Sequence, residues 1–279
     1  MKPPLKKHYS PRPLKYHGGK QSMLQYILPV IPRHLTYVEP FAGGLSVFFA
    51  KAQVQIEVIN DTNKQVINLY KVLQTKFEEL QDLFKTALVS ESLHKDARIM
   101  YNNPHLFTDV QCAWALLILS RPSNPHNLNG AFFFSTSISG ERKAGTQIEY
   151  VKKSLSEGIK KRIEGVQILC REALDIIPKF NKEEAFIYCD PPYIGTAQGH
   201  YKGYTEEDFI KLLDELSKLK AKFLLSSFPS KVLDTYIKKH GWHHIKKDVL
   251  GDLTKKTKTE CLTANYDLEC QKNLLLNSN

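Results

Sequence analysis

Asp190-Pro191-Pro192-Tyr193 carries the clearest chemistry in this chain. An acid, a rigid extended dipeptide and an aromatic face together can grip a flat polar ring. The carboxylate and a backbone carbonyl accept hydrogens, and the tyrosine stacks. Pro192 holds Pro191 extended, and neither proline donates to a sheet ladder. The plainer reading is a strand-terminating turn with a capping Asp.

Two glycine-rich stretches accompany it. Lys15-Tyr16-His17-Gly18-Gly19-Lys20 precedes a helical pattern and suits an anionic group such as a carboxylate or phosphate. It lacks the first glycine and the Ser/Thr of a P-loop, and an ordinary loop would read the same way. Glu39-Pro40-Phe41-Ala42-Gly43-Gly44 is stronger: a β-type run ends in an acid, and an apolar helical pattern begins at Leu45. This is the strand, turn and helix opening of a nucleotide-type α/β fold, although G-x-G-x-x-G is incomplete. Asp61 follows about 20 residues on, where such folds place an acid on ribose hydroxyls. A generic βαβ unit with a capping acid is the bland alternative.

These groups need a sheet to position them. Residues 186–189 read as a buried strand that delivers Asp190 to its carboxyl edge, where open α/β sheets bind ligands. Further strands are predicted at 36–38, 56–59, 166–170, 222–226, 244–250 and 261–268. Helices are predicted at 21–31, from 45, at 62–88, 112–119, 150–164, from 205 behind a Thr205/Asp208 capping box, and at 232–237. A polar interruption is expected at 90–109 and a turn at 171–175. Residues 1–13 are Pro-rich and basic, as in a flexible arm. Residues 127–150 run from Phe132-Phe133-Phe134 through a basic, Gly-bounded tip to β-prone Thr146-Gln147-Ile148, as in a hairpin or extended loop. Such a ribbon fits a major groove or is a surface hairpin. The Gly-bounded loop 195–203, with His200 and Tyr201, can close over a substrate. The lysine-rich stretch 251–258 is a candidate backbone contact. Lys152, Lys153, Lys160, Lys161 and Arg162 form a basic helical face that tracks phosphates or meets solvent.

The chain has 279 residues, with Lys+Arg 39 against Asp+Glu 29 and a formal net charge of +10. That balance suits a polyanionic partner, of which nucleic acid is the commonest. Five cysteines without C-x-x-C spacing argue against a zinc ribbon or disulfide framework and fit a reducing compartment. His243-His244 are neighbours on a predicted strand and so make a poor chelate. No apolar run would span a membrane, and the N-terminus lacks the apolar core of a signal peptide. A soluble, cytoplasmic protein without metal is expected.

In order, Tyr16-His17-Gly18-Gly19-Lys20, Glu39-Pro40-Phe41-Ala42-Gly43-Gly44 and Asp190-Pro191-Pro192-Tyr193 resemble the motifs of Dam-type (D12 class) DNA adenine-N6 methyltransferases, the alpha group of amino-methyltransferases. The resemblance runs from about Pro13 to Asp267, with Asn265-Tyr266-Asp267 like the family's closing strand. It implies a Rossmann-like α/β sheet flanked by helices, formed by residues 1–61 and 166–279. A mostly helical target-recognition insert carrying a β-hairpin would occupy 62–165.

The resemblance also implies the cofactor S-adenosylmethionine, a bacterial or phage-encoded protein, and double-stranded DNA as partner of a monomer or weak dimer. Cofactor contacts would come from Tyr16, Lys20 (near the methionine carboxylate), Glu39, Phe41, Ala42, Gly43, Asp61 (ribose), Glu172 (adenine side) and Asp190. Catalysis would fall to Asp190, Pro191, Pro192 and Tyr193 on a flipped adenine. DNA contacts would come from Asn129, Ser137, Arg142, Lys143, Lys255 and Lys256, with GATC as the prior recognition sequence. Cytosine-N4 or RNA adenine methylation, a catalytically inactive DNA-binding module, and a generic NAD- or ATP-binding α/β protein are the alternatives.

Overall fold

The structure, a computed structural model, describes residues 12–16, 18–88, 90–120, 132, 144–194, 203–250 and 257–269. Behind the Gly-Gly-Lys loop lies a short helix α1 (Leu24–Ile27), continued as a 3-10 turn over Leu28–Val30, where Pro29 removes a helical N–H. The helix predicted for 21–31 is shortened accordingly. Then come β1 (Thr36–Glu39), α2 (Ser46–Ala50) and β2 (Ile56–Asn60).

The helical pattern at 62–88 divides at Lys76 into α3 (Lys64–Thr75) and α4 (Phe77–Lys85). The polar stretch expected to interrupt at 90–109 instead holds α5 (Glu91–Asn102). It buries His94 and Ala97 and packs the half-buried Leu93, Met100 and Tyr101 against the core, an i, i+4, i+7, i+8 face that the polar composition of the stretch obscures. Helix α6 (Asp109–Leu119) follows, capped by a reciprocal Thr108–Gln111 capping box. The basic helix predicted for 150–164 is two helices, α7 (Ala144–Ser154) and α8 (Glu157–Ile163).

Residues 146–148, expected to form the second strand of a hairpin, lie in α7. Thr146 and Ile148 suit a strand locally, but Ile148 and Val151 are both buried at i, i+3 spacing, so packing chooses the helix. The rest of the expected hairpin, with Asn129, Ser137, Arg142 and Lys143, lies outside the described residues, as do His200, Tyr201, Lys255 and Lys256.

The chain continues with β3 (Gln167–Leu169), α9 (Ala173–Ile176) where a turn was predicted, β4 (Ala185–Cys189), α10 (Glu206–Leu216), β5 (Lys222–Ser227), α11 (Lys231–His240), β6 (His243–Leu250) and β7 (Thr257–Ala264). The predicted Thr205–Asp208 capping box forms with both of its bonds. Asn265-Tyr266-Asp267 follow the last strand rather than extend it. Asn265 Oδ1 accepts from Phe223 N at 3.0 Å, and Tyr266 Oη donates to the Val30 carbonyl at 2.9 Å.

The seven strands form one sheet in the order β3-β2-β1-β4-β5-β7-β6, with β7 antiparallel to both neighbours. Alternate residues of the buried strands serve opposite faces. Phe186 and Tyr188 join the core that contains α3, α6 and α8, while Ala185, Ile187 and Cys189 pack with α9, α10 and α11. The chain reverses direction of growth between β1 and β4, which pair directly. A crevice therefore opens outside their carboxyl ends, where the Glu39–Gly44 and Asp190–Tyr193 turns begin.

Two expectations about charge change. Arg12 and Pro13 are not arm but wall: both are buried, and Arg12 donates to Ser46 Oγ. The basic face of the α7–α8 pair is partly consumed within the chain, since Lys160 pairs with Glu78 and Arg162 with Glu57. Arg162 also lies 3.7 Å over the Phe48 ring and donates to the Phe48 carbonyl at 2.7 Å. None of the described helices is long and apolar enough to cross a membrane.

Candidate active site

The turn after β1 is pinned from three directions. Gly43 N donates to Asp61 Oδ2 at 2.9 Å, and the Gly43 carbonyl accepts from Tyr70 Oη at 2.6 Å. Ala42 N donates to the Asn60 carbonyl at 2.8 Å. Asn60 also bridges its neighbours, giving Nδ2 to the carbonyls of Pro40 (2.9 Å) and Arg171 (2.8 Å) and accepting from Arg171 N at 2.9 Å. One buried amide thus ties together the loops after β1, β2 and β3.

The backbone of this turn is unusual. Gly43 has φ +45°, and Leu45, which is not glycine, has φ 51°. A non-Gly residue in the left-handed region costs on the order of 1 kcal/mol and persists only where surroundings hold it. A Cβ at Gly43 would stand 3.2 Å from the Tyr16 ring.

Lys20, Glu39, Gly43, Asp190 and Tyr193 line one cavity, together with Tyr16 and Tyr188. Lys20, which is 3% exposed, pairs with Asp190 Oδ1 at 2.8 Å, donates to the Gly18 carbonyl at 2.8 Å and sits 4.7 Å from the Tyr193 ring centroid. A second cleft of about 270 Å³ adjoins, lined by Asp61, Thr62, Glu172, Ala173, Leu174 and Tyr204 among others. Phe41 and Pro192 line both.

The carboxyls are perturbed. Burial pushes Asp190 up to about 6 against the opposing pull of the Lys20 ammonium; Glu260 adds to the rise, and a hydrogen bond from Tyr193 works against it. Burial likewise lifts Glu39 to about 8; a hydrogen bond from Tyr37 Oη at 2.7 Å opposes the rise, and the neighbouring Asp190 charge reinforces it. At pH 7 Glu39 is therefore neutral and Asp190 mostly ionised, two adjacent acids set to opposite states by their surroundings. Among the described residues no three His, Cys, Asp or Glu side chains gather as metal ligands.

Every described residue predicted for the cofactor and the target base lines this pair of cavities: Tyr16, Lys20, Glu39, Phe41, Ala42, Gly43, Asp190, Pro191, Pro192 and Tyr193 in the first, Asp61 and Glu172 in the second. Sequence reasoning missed Asn60, Tyr70, Arg12, Glu260 and Phe228. Tyr70 reads as one more apolar position of α3, and only Asn60, at the end of a predicted strand beside Asp61, carried a local signal.

The sheet order, the glycine turn at the switch point and the acid after β4 define a Rossmann-like methyltransferase fold. The sequence profile of D12 class N6 adenine-specific DNA methyltransferases matches residues 16–250, and the chain belongs to that family. It is 26% identical over 228 residues to the DNA N-6-adenine-methyltransferase of Escherichia phage P1, covering 76% of this chain and 29% of that protein. Full-length similarity is found with type II methyltransferases. M1.LlaDCHI of Lactococcus lactis subsp. cremoris is 25% identical over 274 residues, covering 90% and 94% of the two chains. M.MjaIII of Methanocaldococcus jannaschii is 27% identical over 290 residues, covering 91% and 98%. The protein is an adenine-specific DNA methyltransferase.

Proposed function

We propose that this enzyme transfers a methyl group from S-adenosylmethionine to N6 of an adenine flipped out of double-stranded DNA into the Asp190-Pro191-Pro192-Tyr193 pocket. The observation that carries this reading is the convergence, at one switch point, of the Lys20-paired Asp190 on a stiff turn with a strained glycine turn. The residues fit the cofactor. Asp61 accepts from Gly43 N and Asn63 N, which fixes its carboxylate at the cleft it lines, where ribose hydroxyls would sit. Phe41, Ala173 and Leu174 offer apolar faces for a flat ring, and Glu172 stands at that cleft's edge. Lys20 has used two of its three ammonium donors, leaving one for the methionine carboxylate. When bound, S-adenosylmethionine supplies an electrophilic methyl whose sulfur departs as a neutral thioether.

The chain's own residues supply orientation and electrostatics. An exocyclic amino group is a poor nucleophile because its lone pair is delocalised into the ring. Asp190 and the Pro191 carbonyl accept its two hydrogens and localise that lone pair. Tyr193 stacks on the base. The amino group gains a bond to carbon and loses a proton, which Asp190 is poised to take. Flipping the base costs a few kcal/mol, which stacking and the pocket hydrogen bonds offset. β6 ends and β7 begins at the sheet edge where β4 delivers Asp190, and Lys255 and Lys256 are the proposed phosphate contacts. The insert 62–165, with Asn129, Ser137, Arg142 and Lys143, is the proposed reader of DNA sequence, and the bacterial and phage relatives support a cytoplasmic setting.

The test is incubation with unmethylated duplex DNA and S-adenosylmethionine, digestion to nucleosides and mass spectrometry. N6-methyladenine is expected. N4-methylcytosine without N6-methyladenine overturns the proposal.

Two further results follow. Gly43→Ala adds a Cβ against Tyr16 at a φ that alanine resists, so calorimetry should show S-adenosylhomocysteine binding weakened by about tenfold. Wild-type affinity would remove the turn from the cofactor site. The acidic limb of kcat/KM should have its midpoint near 6, because catalysis needs the Asp190 carboxylate and that group protonates as pH falls through about 6. Lys20→Met removes the main contact that favours the ionised form, so the limb should move to higher pH. A limb that stays in place would detach it from Asp190.

A further inference from the structure

Glu260 belongs to none of the sequence motifs and lines neither cavity, yet the strand register brings it to the site. Ser227 and Cys261 form the last pair between β5 and β7. Glu260 is therefore the first residue of β7 to run past β5, level with Phe228, which follows β5. Both stand at the carboxyl edge, where Tyr193 emerges after β4. The Tyr193 ring meets Phe228 edge-on, with centroids 4.4 Å apart and planes at 62°. Its hydroxyl donates to Glu260 Oε2 at 3.3 Å. Lys258, on the same side of β7 as Glu260, places Nζ 5.9 Å from the Phe228 ring.

Asp190 competes with Glu260 as acceptor for the single proton of the Tyr193 hydroxyl. A phenol held only by Asp190 would occupy acceptor capacity that the amino group needs. Its ring would also be free to swing about the Cα–Cβ bond, which an edge-on contact alone restrains weakly.

We infer that Glu260 is a positioning residue of the target-base pocket: it anchors the Tyr193 hydroxyl from β7, fixes the ring against Phe228 for stacking, and leaves Asp190 free for the amino group. This rests on the adenine-methylation reading above. Glu260 acts through Tyr193.

The experiment is a double-mutant cycle on duplex DNA lacking adenine methylation, with kcat and S-adenosylhomocysteine affinity measured for Glu260→Ala, Glu260→Gln, Tyr193→Phe and the double variant Glu260→Ala/Tyr193→Phe. Glu260→Ala should lower kcat by about tenfold, as expected for loss of a hydrogen bond to a charged acceptor, with cofactor affinity unchanged. Glu260→Gln, whose carbonyl still accepts from the phenol, should recover most of the loss. In the Tyr193→Phe background, which lacks the hydroxyl, Glu260→Ala should cost nothing more. A Glu260→Ala enzyme with wild-type kcat overturns the inference. So does a double variant whose loss is the product of the two single losses, because Glu260 would then act independently of Tyr193. A wild-type enzyme that makes no N6-methyladenine overturns the methylation reading and the inference with it. The two failures are distinguishable, since one is seen in the wild type and the other only in the variants.

Discussion

Asp190→Asn is expected to lower kcat for adenine methylation by about a hundredfold to ten-thousandfold, with DNA retention and cofactor affinity nearly unchanged. The amide is isosteric, and its oxygen can still accept from Lys20 in place of the 2.8 Å ion pair. What it loses is the negative charge that draws a hydrogen from the amino group and takes up the departing proton. Asp190→Ala should abolish turnover, but it is the less clean variant. It leaves the nearly buried Lys20 ammonium without its carboxylate, and removing one partner of a buried pair typically destabilises by about 3–5 kcal/mol. The asparagine variant separates chemistry from folding. Single-turnover assays with saturating DNA, alongside gel retardation, make the distinction. Turnover near the wild-type rate in Asp190→Asn would refute the role assigned to the carboxylate.

The largest stability effect is predicted at Glu57, far from the chemistry. Its carboxylate is 3% exposed and receives both Lys51 and Arg162; Arg162 Nη2 lies 3.0 Å from Oε1. Arg162 belongs to α8, Lys51 follows α2 and Glu57 lies on β2, so the triad joins α8 to the sheet. Glu57→Leu removes the only negative charge of this triad and leaves two cations in the interior. The expected loss is about 3–5 kcal/mol, seen as a lower urea midpoint with an unchanged slope. A triple replacement by apolar residues, Lys51→Met, Glu57→Leu and Arg162→Met, should recover much of that loss, because a well-packed apolar substitute avoids the desolvation of three charges. If Glu57→Leu unfolds at the wild-type midpoint, the triad does not join α8 to the sheet as described.

This triad also shows how far charge can be read from sequence. Lys160 and Arg162 stand in a basic helical run that suits phosphates or solvent. Each instead meets an acid of its own chain, Glu78 and Glu57 respectively. DNA contact by the remaining lysines of that run is a matter for salt-dependence measurements.

The sequence by itself determined the strands that carry the site, the order of the three motifs, the acid at the end of β4 and hence the family. These are local properties. A strand declares itself by a short buried run, a turn by its glycines and prolines, and each depends on neighbours within a few positions. The same locality misjudged α5, whose half-buried Leu93, Met100 and Tyr101 stand among polar neighbours, and residues 146–148, which lie in α7 despite the β-branched Thr146 and Ile148.

Tertiary structure alone decided the partners. Arg162 and Glu57 lie 105 positions apart, and Tyr193 and Glu260 lie 67 apart. Which residues meet at such distances depends on strand order and register, and a one-residue slip of β7 would turn Glu260 away from Tyr193. The electrostatic state of the site follows from the same cause. Burial, which no motif encodes, raises the proton affinities of Glu39 and Asp190, and the ammonium that opposes it at Asp190 reaches across from a separate loop.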